Sequence, residues 1–89
     1  MRLKIKFLLN KIVDDYYAVP VENNNDVFSG VIRLNETGRD IFQGCLDGKD
    51  DMQITRELTE KYGDLDINTA RKAVEETLEK LRSAGILVE

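Results

Sequence analysis

The spacing of apolar residues changes once along this chain, at Asn35, and that change decides what it can fold into. Before Asn35 the period is two. Leu3, Ile5 and Phe7 alternate with Arg2, Lys4 and Lys6, the pattern of a strand with one buried face. After Asn35 the period is 3.6, with apolar side chains returning every third or fourth residue. A small sheet with an apolar face cannot stand alone in water. The helical half is the only cover available. The expected class is therefore α+β: a three-stranded antiparallel sheet followed by three helices, of winged-helix-like character, with the long last helix lying across the sheet.

The length of 89 residues suits a single domain, 1–89, made of a β-meander over 1–35 and a three-helix part over 36–89. Leu8 breaks the first alternation, and a second run continues from Leu9 to Val13. Asp14-Asp15 suits a tight turn, because Asp tolerates turn geometry and bonds its own backbone. Tyr16 to Val21 reads as the second strand, with Pro20, which has no N–H to donate, at an end or an edge. A polar loop from Glu22 to Asp26 leads to a third strand from Val27 to Leu34, where Gly30 fits a bulge. Asn35 caps the first helix, whose apolar face is Ile41, Phe42, Cys45 and Leu46 and which Gly48 ends. Asp50 or Asp51 caps the second, which carries Ile54, Leu58 and Tyr62 and stops at Gly63. Asp66 caps the third, with a stripe of Ala70, Val74, Thr77, Leu78 and Leu81 and a stop at Gly85.

Composition removes several chemistries. The sequence has no histidine and one cysteine, Cys45, so a Cys/His dyad, a zinc site and an internal disulfide are all out of reach. No catalytic residue, metal or cofactor is expected. Apolar runs such as Phe7-Leu8-Leu9 fall far short of the ~20 residues that cross a bilayer. The N-terminus lacks the continuous apolar stretch of a signal peptide, so a cytoplasmic location is expected. Residues 1–13 carry Arg2, Lys4, Lys6 and Lys11 and no acid, although the whole chain has a net charge of −4. This basic segment reads either as a solvated strand face or as an edge that attracts an acidic peptide.

The run Val31-Ile32-Arg33-Leu34-Asn35-Glu36-Thr37-Gly38, followed by Ile41-Phe42, resembles the L-N-E-T-G-x-x-I-W junction of the PqqD-like family. Leu81-Arg82-Ser83-Ala84-Gly85-Ile86-Leu87 is similar to that family's L-R-x-A-G-L-L ending, and Tyr17 to Val21 to its second strand. Phe42 stands where Trp is frequent. The resemblance implies a RiPP recognition element: a non-catalytic chaperone that binds the leader of a ribosomally made precursor peptide. It implies delivery of that peptide to a modifying enzyme, often a radical S-adenosylmethionine protein as in pyrroloquinoline quinone biosynthesis. It further implies that the leader adds as a strand to the edge of the third strand, in a cleft against the third helix.

On that footing the candidate peptide-binding residues are Phe28, Val31, Ile32, Arg33 and Leu34 on the strand and Arg71, Glu75, Leu78 and Arg82 on the helix. Alternation sets Val31 and Arg33 on one face and Phe28, Ile32 and Leu34 on the other. Ile32, Leu34 and Leu78 also fit plain core packing. Arg33 fits a guard against edge aggregation as well as a reader of peptide carboxylates. An open edge would also admit a second copy of the chain, giving a homodimer. The alternative class is a winged-helix DNA-binding regulator. It requires basic residues gathered where phosphates lie, whereas Glu75, Glu76 and Glu79 interrupt those of the last helix. Neither nucleic acid nor membrane is expected as a partner.

Overall fold

Asn35 is the joint between the two halves. Its backbone is extended (φ −82°, ψ −178°), and its Oδ1 accepts a hydrogen bond from the Gly38 N–H at 2.7 Å. Strand β4 (Ile32–Leu34) therefore gives way within one residue to helix α1 (Glu36–Leu46). The computed structural model describes residues 2–21 and 30–88. Its other elements are β1 (Arg2–Leu3), β2 (Phe7–Ile12), β3 (Asp15–Pro20), α2 (Asp51–Lys61), α3 (Ile67–Ser83) and β5 (Leu87–Val88).

The main sheet is antiparallel and ordered β2-β3-β4. β2 pairs β3 from Phe7↔Pro20 to Ile12↔Asp15, and β3 pairs β4 at Tyr16↔Leu34, Tyr17↔Arg33 and Ala18↔Ile32. The hairpin turn is Val13-Asp14, one residue earlier than the expected Asp14-Asp15. Asp15 already belongs to the strand, where its carboxylate accepts a hydrogen bond from Arg33 at 2.8 Å. The expected polar loop, 22–26, and residues 27–29 of the expected third strand lie outside the described residues. Gly30, at φ +104°, and Val31 precede β4 rather than lying within it.

The expected first strand is divided. Lys4 and Ile5 form a bend, and the two residues before it pair with the C-terminus: Arg2↔Val88 and Leu3↔Leu87. The Lys4 N–H adds a bond to the Ile86 carbonyl at 2.8 Å. The chain reaches this second small sheet through a Schellman turn after α3. Gly85 sits at φ +76°, with Gly85 N–H bonded to Arg82 O and Ile86 N–H to Leu81 O. Ile86, with no exposed surface, plugs the end of the core.

The expectation that the last helix lies across the sheet is corrected: α1 holds that place. It joins β4 through a single residue and must fold straight back. It also carries the fully buried Ile41 and Phe42, against which Phe7, Ala18 and Leu34 of the sheet pack. α3 packs on α1, α2 and β5, and its buried stripe is Ala70, Val74, Leu78 and Leu81. Among the described residues no helix is long and apolar enough to cross a membrane.

Candidate functional site

β4 is bonded to β3 on one side only; its other edge has no strand partner among the described residues. Such an edge presents unpaired N–H and C=O groups at a strand spacing of ~3.3 Å per residue. Beside it lies a cleft of about 460 Å³ that runs from β4 and the start of α1 to one flank of α3. That volume falls within the ~300–1,000 Å³ typical of ligand sites.

The floor of the cleft is apolar: Ile32 and Leu34 from β4, Ile41 and Gly38 from α1, and Leu65 from the turn before α3. Gly38 keeps this floor open. A Cβ there would lie 3.1 Å from Asn35 Oδ1 and 3.4 Å from Leu34 Cδ2, crowding both the helix cap and the cleft. The wall is one flank of α3, with Thr69, Ala73, Glu76, Thr77 and Lys80. Ala73 and Thr77, four residues apart, are short enough to leave space beside the buried stripe.

Among the described residues, three charged side chains border the cleft. Arg33 shares the outer sheet face with its cross-strand partner Tyr17, and its guanidinium is held by Asp15. Both partners are exposed, and a pair of this kind contributes roughly 0.2–1 kcal/mol, so its effect is more on where Arg33 points than on stability. Glu76 and Lys80 make no ion pair among the described residues.

The ends of α1 and α2 that support this floor are tied by a polar cluster. The Tyr62 hydroxyl lies 2.8 Å from Glu36 Oε2 and 2.5 Å from Asp40 Oδ2, and Lys61 Nζ lies 3.0 Å from both Asp40 oxygens. Burial, then the bonds to these two carboxylates, push the Tyr62 phenol well above its ordinary range. Cys45 is buried in the core, and burial pushes its thiol up to about 11, the opposite of an activated nucleophile.

Among the residues singled out in the sequence, Ile32, Arg33 and Leu34 border the cleft. Val31, 56% exposed, lies just before them, and Phe28 lies outside the described residues. The four helix residues lie elsewhere. Leu78 is 2% exposed and belongs to the core, whereas Arg71 and Glu75 line a separate groove between α2 and α3, with Met52 and Ile67. Arg82 is paired with Glu79 at 3.5 Å, and it does not line the cleft. The reason is helical phase. At roughly 100° per residue, Arg71, Glu75 and Arg82 fall on one flank of the buried stripe, and Ala73, Glu76, Thr77 and Lys80 on the other. Both flanks are polar, so charge does not distinguish them. The usable signal was the small pair Ala73 and Thr77, which marks the flank with room beside it.

A protein-family model described as Coenzyme PQQ synthesis protein D (PqqD) matches residues 9–87. No curated protein matches the chain. A solved structure titled "TbiB1 in Complex with the TbiA(beta) Leader Peptide" superposes with a TM-score of 0.72, over 100% of this chain and 98% of that one, at 16% sequence identity. At that identity the likeness is one of fold.

Proposed function

The chain belongs to the PqqD family, and from that premise we propose that its cleft between β4 and α3 binds the leader of a ribosomally made precursor peptide as an added strand. The observation that carries this reading is the open edge of β4 beside an apolar floor. The solved structure of similar fold, whose title names a leader peptide, supports it.

Backbone pairing alone does not hold a peptide. Four or five ladder bonds at ~0.5–1.5 kcal/mol each give a few kcal/mol, against an association cost of ~4–15 kcal/mol. Apolar side chains entering the floor supply the remainder at ~25 cal/mol per Å². The site in this reading comprises Ile32, Arg33 and Leu34, with Val31 just before them, and Ala73, Glu76, Thr77 and Lys80 as the helix wall. Arg71, Glu75, Leu78 and Arg82 are left out of it.

The role is delivery rather than catalysis. A domain that holds the leader while it touches a peptide-modifying enzyme, such as a radical S-adenosylmethionine protein, raises the precursor's effective concentration at that enzyme's active site. The same open edge admits a second copy of the chain, which would then compete with the leader.

Amide chemical-shift titration with the leader encoded nearest this gene tests the reading. Perturbations are expected at 31–38 and 69–80, and are expected to vanish in Ala73→Arg while persisting in Arg71→Ala. Perturbations centred on the groove between α2 and α3, or none with a leader that the modifying enzyme requires, would overturn it.

A further inference from the structure

Glu76 and Lys80 stand one helical turn apart on the cleft wall, in the order that pairs best along a helix. Their side chains nevertheless make no ion pair or hydrogen bond with each other or with any other described residue. The third charged group at the cleft, Arg33, is held by Asp15. The wall thus offers one unengaged carboxylate and one unengaged ammonium, separated along α3 by a rise of about 6 Å.

An extended peptide lying against this wall turns every second side chain toward it, at intervals of roughly 6.5–7 Å. The two repeats differ by about 1 Å or less, which the flexible Lys80 stem can absorb. Adjacent or three-apart peptide residues do not fit, because they project from opposite faces of a strand. We propose that the cleft selects extended segments carrying opposite charges two residues apart, the acid facing Lys80 and the base facing Glu76. This rests on the cleft being a peptide groove and adds what that groove reads. The residue between the two charges faces the other side of the extended sheet, the side of Arg33, and is free of this requirement.

The test is selection from a displayed library of random twelve-residue peptides, with the whole chain as bait and Ala73→Arg as a counter-selection that removes peptides bound elsewhere. Wild-type protein is expected to enrich one order of acid and base at positions i and i+2. The charge-swapped bait E76K/K80E is expected to enrich the reverse order. A wild-type peptide should lose about tenfold in affinity for the swapped bait, an effect that shrinks in high salt. E76Q/K80M should still bind peptides but without the charge preference. Thermal melts confirm that each variant folds. If all baits enrich the same peptides, the charge rule is overturned and the peptide groove stands. If the wild-type bait enriches nothing sensitive to Ala73→Arg, the groove reading falls, and this proposal with it.

Discussion

Phe7 and Phe42 meet edge to face, with ring centroids 5.1 Å apart and planes at 89°, and through this contact the sheet is seated on α1. Phe42 has no exposed surface, and Phe7 keeps only 8% of its own. Phe42→Ala should cost about 3–5 kcal/mol, since the cavity lies where the sheet and α1 converge. In a double-mutant cycle with Phe7→Ala, the coupling should reach at least ~0.5 kcal/mol, measured by denaturant unfolding. Additive losses would mean the rings contribute only their separate burial.

At Gly44, α1 packs tightly against Ile54 of α2. A Cβ there would fall 2.7 Å from Ile54 Cγ1 and 2.9 Å from Ile54 Cδ1, and Ile54 is 3% exposed. Replacing a helical Gly with Ala ordinarily gains ~0.5–1 kcal/mol, whereas overpacking costs ~1–3 kcal/mol. Overpacking should win, leaving Gly44→Ala net destabilising. In an Ile54→Ala background, where the obstructing atoms are gone, the same substitution should become neutral or stabilising. A loss that is unchanged in that background would refute the clash.

Val13 occupies the hairpin turn at φ +59° and is 83% exposed, a poor place for a β-branched side chain. The left-handed conformation costs such residues roughly 1–2 kcal/mol, more than the ~0.5–1 kcal/mol of chain entropy that glycine brings. Val13→Gly should therefore raise stability by up to about 1 kcal/mol, read as a higher denaturant midpoint with an unchanged slope. A lower midpoint would show that the side chain makes contacts that outweigh its backbone strain.

The Tyr62 phenol keeps its proton at pH values where an unfolded chain, with an ordinary tyrosine pKa of ~10, has lost it. The stabilisation it brings is present in full below about pH 10 and declines as pH rises above that. Lys49, raised by its hydrogen bond to Glu57, loses its own contribution in the alkaline direction too, but a Tyr62→Phe variant shares that loss. The stability difference between wild type and Tyr62→Phe should thus shift in favour of the variant above pH ~10. Parallel pH profiles would show that the phenol is not held by Asp40 and Glu36.

Much of the fold was legible because it depends on local chemistry. The Asn35 cap, the Gly85 terminator and the stripe Ala70, Val74, Leu78 and Leu81 each follow from one turn of backbone and its neighbours. The β1–β5 pairing was not legible: with two residues per strand, each half leaves no periodicity, and its partners lie at opposite ends of the sequence. The place of α1 beneath the sheet was hidden because two helices carried apolar faces large enough for it. On the cleft, the strand side could be located because β4 runs directly into a recognisable cap. The helix side could not, since the way α3 crosses its neighbours decides which polar flank turns toward β4, and that crossing is set by packing across the whole core.

Because Arg2 and Val88 face each other in the small β1–β5 sheet, both ends of the described chain leave the molecule at one corner. A catalytic domain joined in frame to either terminus would begin its tether from the same point. The reach from that tether to cargo held in the groove would then depend on linker length and hardly at all on which gene came first.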